Sequence, residues 1–213
     1  MLEGKVAMIT GASQGLGRAL ALAYAKEGAS IVISSRSEKS IRAVAEKAES
    51  SGAEFLALAA DVSKSADVER SVGAAVELFG RIDVLVNNAS LLGPFLVSKA
   101  AIPHMPEGGS IVNLVTSASV EGRPEWGVYS VSKFGVQGLT QILAAELKER
   151  GIRVNAVDPG PMRTPMRAAA YPEEDPMTLI TPEENTGVFL YLASDESKGV
   201  TGERFKAQEF QRA

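Results

Sequence analysis

The sequence predicts an α/β domain in which a doubly wound parallel sheet carries helices on both faces. Three observations predict it. Short apolar runs alternate with longer helical patterns. Several of the runs are apolar almost throughout, as strands buried on both faces are. Glycines stand where the helices should stop. Alternation at this spacing implies right-handed crossovers between parallel strands. No internal repeat or linker divides the chain, so residues 1–213 are read as one domain.

The elements follow in order. KVAMIT (5–10) is the first strand, and TGASQGLG (10–17) turns it into a helix over 15–27 that stops at Gly28. SIVISS (30–35) is the second strand, followed by a helix over 38–51 and Gly52. EFLALAA (54–60) is the third. DVSKSADVERSV then offers Ser63 or Ser65 as the cap of an amphipathic helix over 65–79, ended by Gly80. IDVLVN (82–87) is the fourth strand, and FLVSKAAIPHM reads as a helix over roughly 95–105. SIVNLVT (110–116) is the fifth strand. A helix over 127–150 stops at Gly151, and IRVNAVD (152–158) is the sixth strand. The stretch 159–182 is rich in proline and acid. It reads as a loop over one end of the sheet, with its EED solvated. The TG near the C-terminus precedes a last strand.

Composition narrows the function. The chain is 45% hydrophobic and 23% charged, which suits a globular domain with a sizeable core. A net charge of −4, without basic tracts, gives no electrostatic case for nucleic acid. No apolar run reaches the roughly 18 residues that cross a bilayer, and MLEGKVAMIT enters a strand without a leader. Cysteine is absent and histidine occurs once, at His104, so thiolate chemistry and a zinc site are set aside. No metal site is expected. The lack of cysteine fits a cytoplasmic protein.

The glycine-rich turn points to a dinucleotide. In TGASQGLG, Gly11 permits a sharp turn, Gly15 a close backbone approach to a pyrophosphate, and Gly17 close packing of helix and sheet. Ser13, Gln14 and Leu16 belong to the same turn, whose helix N-terminus offers unpaired N–H groups to phosphate. This is a Rossmann-type arrangement. At the end of the second strand an acidic residue would read the ribose 2′-hydroxyl. SSRS stands there without a carboxylate. Arg36 can pair with a 2′-phosphate, and Ser35 and Ser37 can donate hydrogen bonds to it, so NADP(H) is expected over NAD(H).

YSVSK places Tyr129 and Lys133 four residues apart on one helix face. A free phenol has a pKa of about 10. A neighbouring ammonium favours its phenolate, so Tyr129 could exchange a proton with a carbonyl oxygen. Lys133 could also bond the cofactor ribose.

With TGASQGLG, DV at Asp61–Val62, NNAS at 87–90, YSVSK and PGPMRT at 159–164 in this order, the chain resembles the short-chain dehydrogenase/reductases over nearly its whole length. The resemblance implies a Tyr-Lys-Ser-Asn active site and a homodimer or homotetramer. It implies that Asp61 and Val62 contact the adenine, that Asn87, Ala89 and Ser90 lie along the cofactor, and that Pro159, Gly160 and Thr164 hold its nicotinamide end. The family serine lies thirteen residues before the tyrosine, at Thr116. Ser117, one place nearer, serves if the strand end bulges. Ser90 stands where the family has glycine.

The interval from Asn87 to Thr116 is 29 residues, about twenty fewer than the family pattern. Either the chain is shortened here, losing the front half of the helix after the fourth strand and the family's active-site asparagine with it, or the natural chain holds a further segment at this point, or the remaining segment is rearranged. The break falls between Ser90 and Phe95, and Asn113 lies inside the next strand. The expected function is an NADP(H)-dependent oxidoreductase interconverting a carbonyl and an alcohol, with a 3-oxoacyl thioester as one substrate class. The alternatives are a nucleotide-binding protein with little catalysis, and an NAD-linked dehydrogenase of sugars or steroids. His104 is read as a capping or surface residue.

Overall fold

The computed structural model describes residues 1–49, 52–88, 92–122 and 124–211. Seven strands form one sheet in the order β3-β2-β1-β4-β5-β6-β7, all parallel. They are β1 (Val6–Thr10), β2 (Ser30–Ser35), β3 (Phe55–Ala59), β4 (Val84–Asn87), β5 (Ser110–Leu114), β6 (Arg153–Asp158) and β7 (Arg204–Lys206). The helices are α1 (Gly15–Lys26), α2 (Glu38–Glu49), α3 (Ser65–Phe79), α4 (Leu92–Ala101), α5 (Gly127–Glu146), α6 (Pro165–Ala170) and α7 (Gly187–Ala193). The strand order reverses between β1 and β4. Ligands of open parallel sheets bind beside such a reversal, beyond the carboxyl ends of the strands.

Alternate strand residues feed two cores. Ala7, Ile9, Ile31 and Ile33 pack with Leu20 and Tyr24 of α1, Ile41 of α2 and Phe189 of α7. Val6, Met8, Val32 and Ile111 pack on the other face with Val72 of α3, Val97 of α4 and Leu143 of α5. Both faces are covered, which is why these strands read as continuous apolar runs. The buried Tyr24 keeps a partner for its hydroxyl, which donates to the Phe189 carbonyl at 2.9 Å. Gly28, Gly52, Gly80 and Gly151 all have positive φ, as expected of residues that end helices.

Polar residues tie the shortened region to the sheet. Asn87 and Asn113 are register partners on β4 and β5. The Asn87 amide donates to Ser98 Oγ on α4 (3.0 Å) and to Asn113 Oδ1 (2.9 Å), and Asn113 donates to Thr140 on α5 (3.0 Å). Asn113 is therefore a core brace, as its strand position predicts.

Four expectations change. The helix expected at 95–105 starts at Leu92 and passes at Ile102–His104 into a 3-10 turn. Gly93-Pro94 looks like a breaker, but proline is tolerated in a first turn, where its missing N–H has no intrahelical partner. The helix expected at 127–150 ends at Glu146, and a 3-10 turn over Lys148–Arg150 completes the stretch. Neither Ser63 nor Ser65 caps α3. Its N-cap is Lys64, Ser63 donates to Asp61, and Ser65 donates to Glu69. The stretch 159–182 holds α6, capped by the Thr164 hydroxyl with Pro165 at its first position. Its EED lies at the surface as expected, with Glu173 and Asp175 exposed; Glu174 takes two bonds from Arg167, and Asp175 caps a short 3-10 turn.

The end of the helix expected at 38–51 falls on residues 50 and 51, outside the described residues. Val128, Val131, Phe134 and Ile142 of α5 are exposed, as are Leu92 and Phe95 of α4.

Candidate active site

Parallel strands bring the carboxyl ends of β1, β2, β4, β5 and β6 to one edge of the sheet, and the expected site residues collect there. Gly11 and Gly15 have φ of +65° and +55°. A β-carbon on Gly17 would lie 2.5 Å from the Gly11 carbonyl oxygen and 2.8 Å from the Asn88 amide nitrogen. The helix thus packs on its own preceding turn and on Asn88. Asn88 was not singled out in the sequence. Its amide donates to the Gly11 carbonyl at 3.2 Å, and its backbone N–H donates to Thr10 Oγ1 at 3.1 Å. The signal was the Asn doublet, of which the buried first member braces the core while the second pins the turn.

These residues fit a dinucleotide phosphate. The N-cap of α1, Gln14, makes no side-chain capping bond, so the first N–H groups of the helix are not claimed by it. Gly15 faces Thr164 Cγ2, at 3.5 Å from an ideal β-carbon. Ser13 is partly open, whereas the Leu16 side chain belongs to the core and leaves its backbone to the turn.

Beyond the ends of β2 and β3, Arg36, Asp61, Lys64 and Asp67 line one pocket of about 320 Å³, where the resemblance expects the adenine. Hydrogen bonds from Ser63, hydroxyl first and then backbone N–H, hold the Asp61 carboxyl below its ordinary range. Val62 packs against the neighbouring core. The serines around Arg36 are engaged locally. Ser35 Oγ donates to the Ser37 carbonyl at 3.1 Å, and Ser37 Oγ accepts from the Ser40 backbone N–H at 3.2 Å. The cations facing this pocket are Arg36 and Lys64, and Lys64 was not foreseen.

Tyr129 and Lys133 share a face of α5. The hydroxyl that meets Tyr129 is that of Thr116. Thr116 Oγ1 accepts from the Ala118 N–H at 3.1 Å, which leaves its own proton to donate. Ser117 is exposed in the turn that follows. Lys133 is buried, and its Nζ donates to the Leu114 carbonyl at 2.9 Å.

The expected lowering of the Tyr129 phenol by a nearby ammonium is not found in the protein alone. Although 42% of the residue surface is open, burial holds the phenol above its ordinary value. The Thr116 hydrogen bond pulls it down, and the charges of Asp158 and Tyr171 push it up. Trp126, another residue not foreseen, packs edge-on against Tyr129 with centroids 5.5 Å apart.

Burial brings the Lys133 ammonium down to about 8, with Asp158 opposing. A depressed lysine costs stability while it is charged in the fold. That cost is full below the folded value and is relieved between about 8 and the ordinary 10.5. The native chain should therefore gain stability relative to a Lys133→Met variant as pH rises through this window. Thermal unfolding of both proteins at pH 7.5 and pH 10 checks it, and a constant difference in Tm refutes it.

The segment after β6 carries Pro159, Gly160 and Thr164, which the family resemblance puts at the nicotinamide end. Pro159 is buried, and its carbonyl accepts from Asn185 (2.8 Å) and from Gln208 (3.0 Å). A β-carbon on Gly160 would meet the Gln208 amide at 2.6 Å. The C-terminal segment thus clamps this loop in its own way. A pocket of about 180 Å³ beyond it is lined by Arg163, Thr164, Arg167, Tyr171 and Leu179 among others. Asn87 is fully buried. Ala89 and Ser90 lie outside the described residues. His104 is exposed, and its carbonyl accepts from Ile82. Among the described residues there is no cluster of three or more His, Asp or Glu placed to hold a metal. No helix among them is long and apolar enough to cross a membrane.

A doubly wound sheet with a glycine turn at its reversal and a Tyr/Lys pair above β5 defines a nicotinamide-linked oxidoreductase of the Rossmann class. The chain belongs to the short-chain dehydrogenase/reductase family. Residues 5–94 match the family model described as short chain dehydrogenase, and residues 88–208 match the one described as enoyl-(acyl carrier protein) reductase. The two matches meet at the shortened connection.

An uncharacterised oxidoreductase of Methylorubrum extorquens is 37% identical over 240 positions, covering 97% of each chain. That alignment is longer than the 213 residues here, so it includes positions this chain lacks. A 3-oxoacyl-[acyl-carrier-protein] reductase of Thermotoga maritima is 36% identical, with 95% of each covered. Among solved structures, a short-chain dehydrogenase of Pseudomonas syringae superposes with a TM-score of 0.93 at 34% identity, covering 97% of this chain and 96% of that one. One from Shigella flexneri, complexed with NADP, does so with 0.90 at 33%, covering 97% and 98%.

Proposed function

We propose that the chain is an NADPH-dependent reductase of 3-oxoacyl thioesters. The observation that carries the cofactor choice is Arg36. It stands at the end of β2, where an acid would select NAD(H), and Lys64 lines the same pocket. The likeness to solved structures holding NADP and NADPH supports it. The substrate class is supported by the 36% identity to the Thermotoga maritima 3-oxoacyl reductase.

A bound NADPH would supply hydride to the carbonyl carbon. Everything else falls to side chains. The Tyr129 phenol, like any phenol, is protonated at neutral pH, and burial keeps its value from falling, so it holds a proton to give to the carbonyl oxygen. Thr116 donates a hydrogen bond to the same oxygen. Lys133, charged at neutral pH, favours negative charge developing on the phenol oxygen. A protonated phenol suits reduction, whereas alcohol oxidation would need the phenolate.

NADPH should bind at least about 10-fold more tightly than NADH, since charge-assisted hydrogen bonds are worth about 1.5–3 kcal/mol. An Arg36→Ala/Lys64→Ala variant should lose that preference while keeping its affinity for NADH. Quenching of Trp126, the single tryptophan, beside Tyr129, reads binding directly. Equal affinities in the native chain would overturn the cofactor assignment. Turnover of an acetoacetyl thioester with NADPH tests the substrate class, and no turnover of it beside turnover of simple ketones would overturn that part.

A further inference from the structure

Asp158 ends β6 and is buried. Its two oxygens have different partners. Oδ1 accepts from the Gly160 N–H at 3.0 Å, and Oδ2 accepts from the Arg204 guanidinium at 2.8 Å. The same Arg204 nitrogen donates to the Thr116 carbonyl at 3.3 Å. Arg204 comes from β7, the neighbour of β6 in the sheet. One guanidinium thus joins a buried carboxylate to the backbone of the residue whose hydroxyl meets Tyr129.

The ionisable groups around the Tyr/Lys pair are few. Asp158 from β6 acts on both Tyr129 and Lys133, and Tyr171, after α6, acts on Tyr129. The Arg167 guanidinium lies over the Tyr171 ring at 3.6 Å and pairs with Glu174. Arg204 from β7 reaches Asp158. A bare carboxylate in this place would disfavour a phenolate and favour an ammonium, and the guanidinium beside it offsets that charge.

We propose that Arg204 and Asp158 are a positioning pair for the acid/base. Arg204 holds the Thr116 backbone and offsets the Asp158 charge, so the pair sets the pH at which Tyr129 passes from proton donor to acceptor. The proposal rests on the reading of Tyr129 as the acid/base. The two partners act in opposite senses. Without the guanidinium the carboxylate is bare, and Tyr129 titrates at higher pH. Without the carboxylate the guanidinium is unpaired, and Tyr129 titrates at lower pH.

The test compares Arg204→Met, Arg204→Lys and Asp158→Asn. The asparagine keeps an oxygen for the Gly160 N–H. Ultraviolet phenolate absorbance, taken as a difference against Tyr129→Phe in each background, isolates this tyrosine among the four. The pH midpoint of kcat/KM for NADP⁺-linked oxidation of a 3-hydroxybutyryl thioester is the second readout.

Arg204→Met should raise the Tyr129 midpoint by about half to one pH unit, and Asp158→Asn should lower it by a similar amount. Arg204→Lys should restore it. Shifts of one sign, or none, in the absorbance titration overturn the pair. If Arg204→Met fails to fold, an Asp158→Asn protein with an unmoved midpoint overturns it alone. Opposite absorbance shifts in a protein that turns over neither thioesters nor simple ketones would uphold the coupling and remove the catalytic reading of Tyr129.

Discussion

A Tyr129→Phe variant is expected to lose between about 100- and 10,000-fold in kcat/KM for NADPH-linked carbonyl reduction, the range a positioned general acid supplies. The change removes one oxygen and little else. The ring keeps its edge-on contact with Trp126, centroids 5.5 Å apart in the native chain. Thr116 Oγ1 keeps the Ala118 N–H at 3.1 Å, so the hydroxyl at the strand end stays in place. Lys133 Nζ keeps the Leu114 carbonyl. NADPH affinity should therefore change by less than about threefold, while the loss falls on the transition state. Steady-state kinetics with Trp126 quenching as the binding readout separates the two. Retained turnover would remove Tyr129 from the chemistry, and a parallel loss of NADPH binding would make its role structural.

The same residues show why a sequence discloses some of this site and withholds the rest. The Tyr/Lys spacing is visible because one helix carries both, and four residues is about one turn. The glycine turn is visible because positive φ and close approach leave few alternatives to glycine. The Arg204–Asp158 pair joins residues 46 apart through neighbouring strands, and no local pattern announces it. Lys64 faces Arg36 only because β2 and β3 are adjacent in the sheet. The helix α6 was hidden by composition: Thr164-Pro165 is a good start signal, but the prolines and acids after it resemble a loop. At the shortened connection, spacing alone exposed the lost half-helix. It did not show that α4 would begin as early as Leu92, with proline inside its first turn.

A pair of glycine substitutions should give effects of opposite sign, and the reason lies in what each glycine faces. Gly17→Ala puts a β-carbon 2.5 Å from the Gly11 carbonyl oxygen, 2.8 Å from Asn88 Nδ2 and 3.0 Å from Ala12 Cα. Two of those atoms are backbone and cannot swing away, so α1 must lift from the turn that precedes it. Overpacking of this kind costs about 1–3 kcal/mol in stability. The displaced helix also carries the N–H groups that would face the cofactor phosphates, and the moved Asn88 loosens the Gly11 carbonyl it holds at 3.2 Å. NADPH binding should weaken by about 10-fold or more, since each charge-assisted hydrogen bond lost is worth about 1.5–3 kcal/mol. Gly73→Ala is the same chemical change inside α3, at an exposed position where a β-carbon meets nothing within 4 Å. There alanine stabilises by about 0.5–1 kcal/mol, because glycine loses more backbone freedom on folding. Denaturant unfolding of both variants, with NADPH titration of Gly17→Ala, tests the contrast. If Gly17→Ala kept native stability and affinity, the close packing of α1 on its turn would not be what positions the phosphate site.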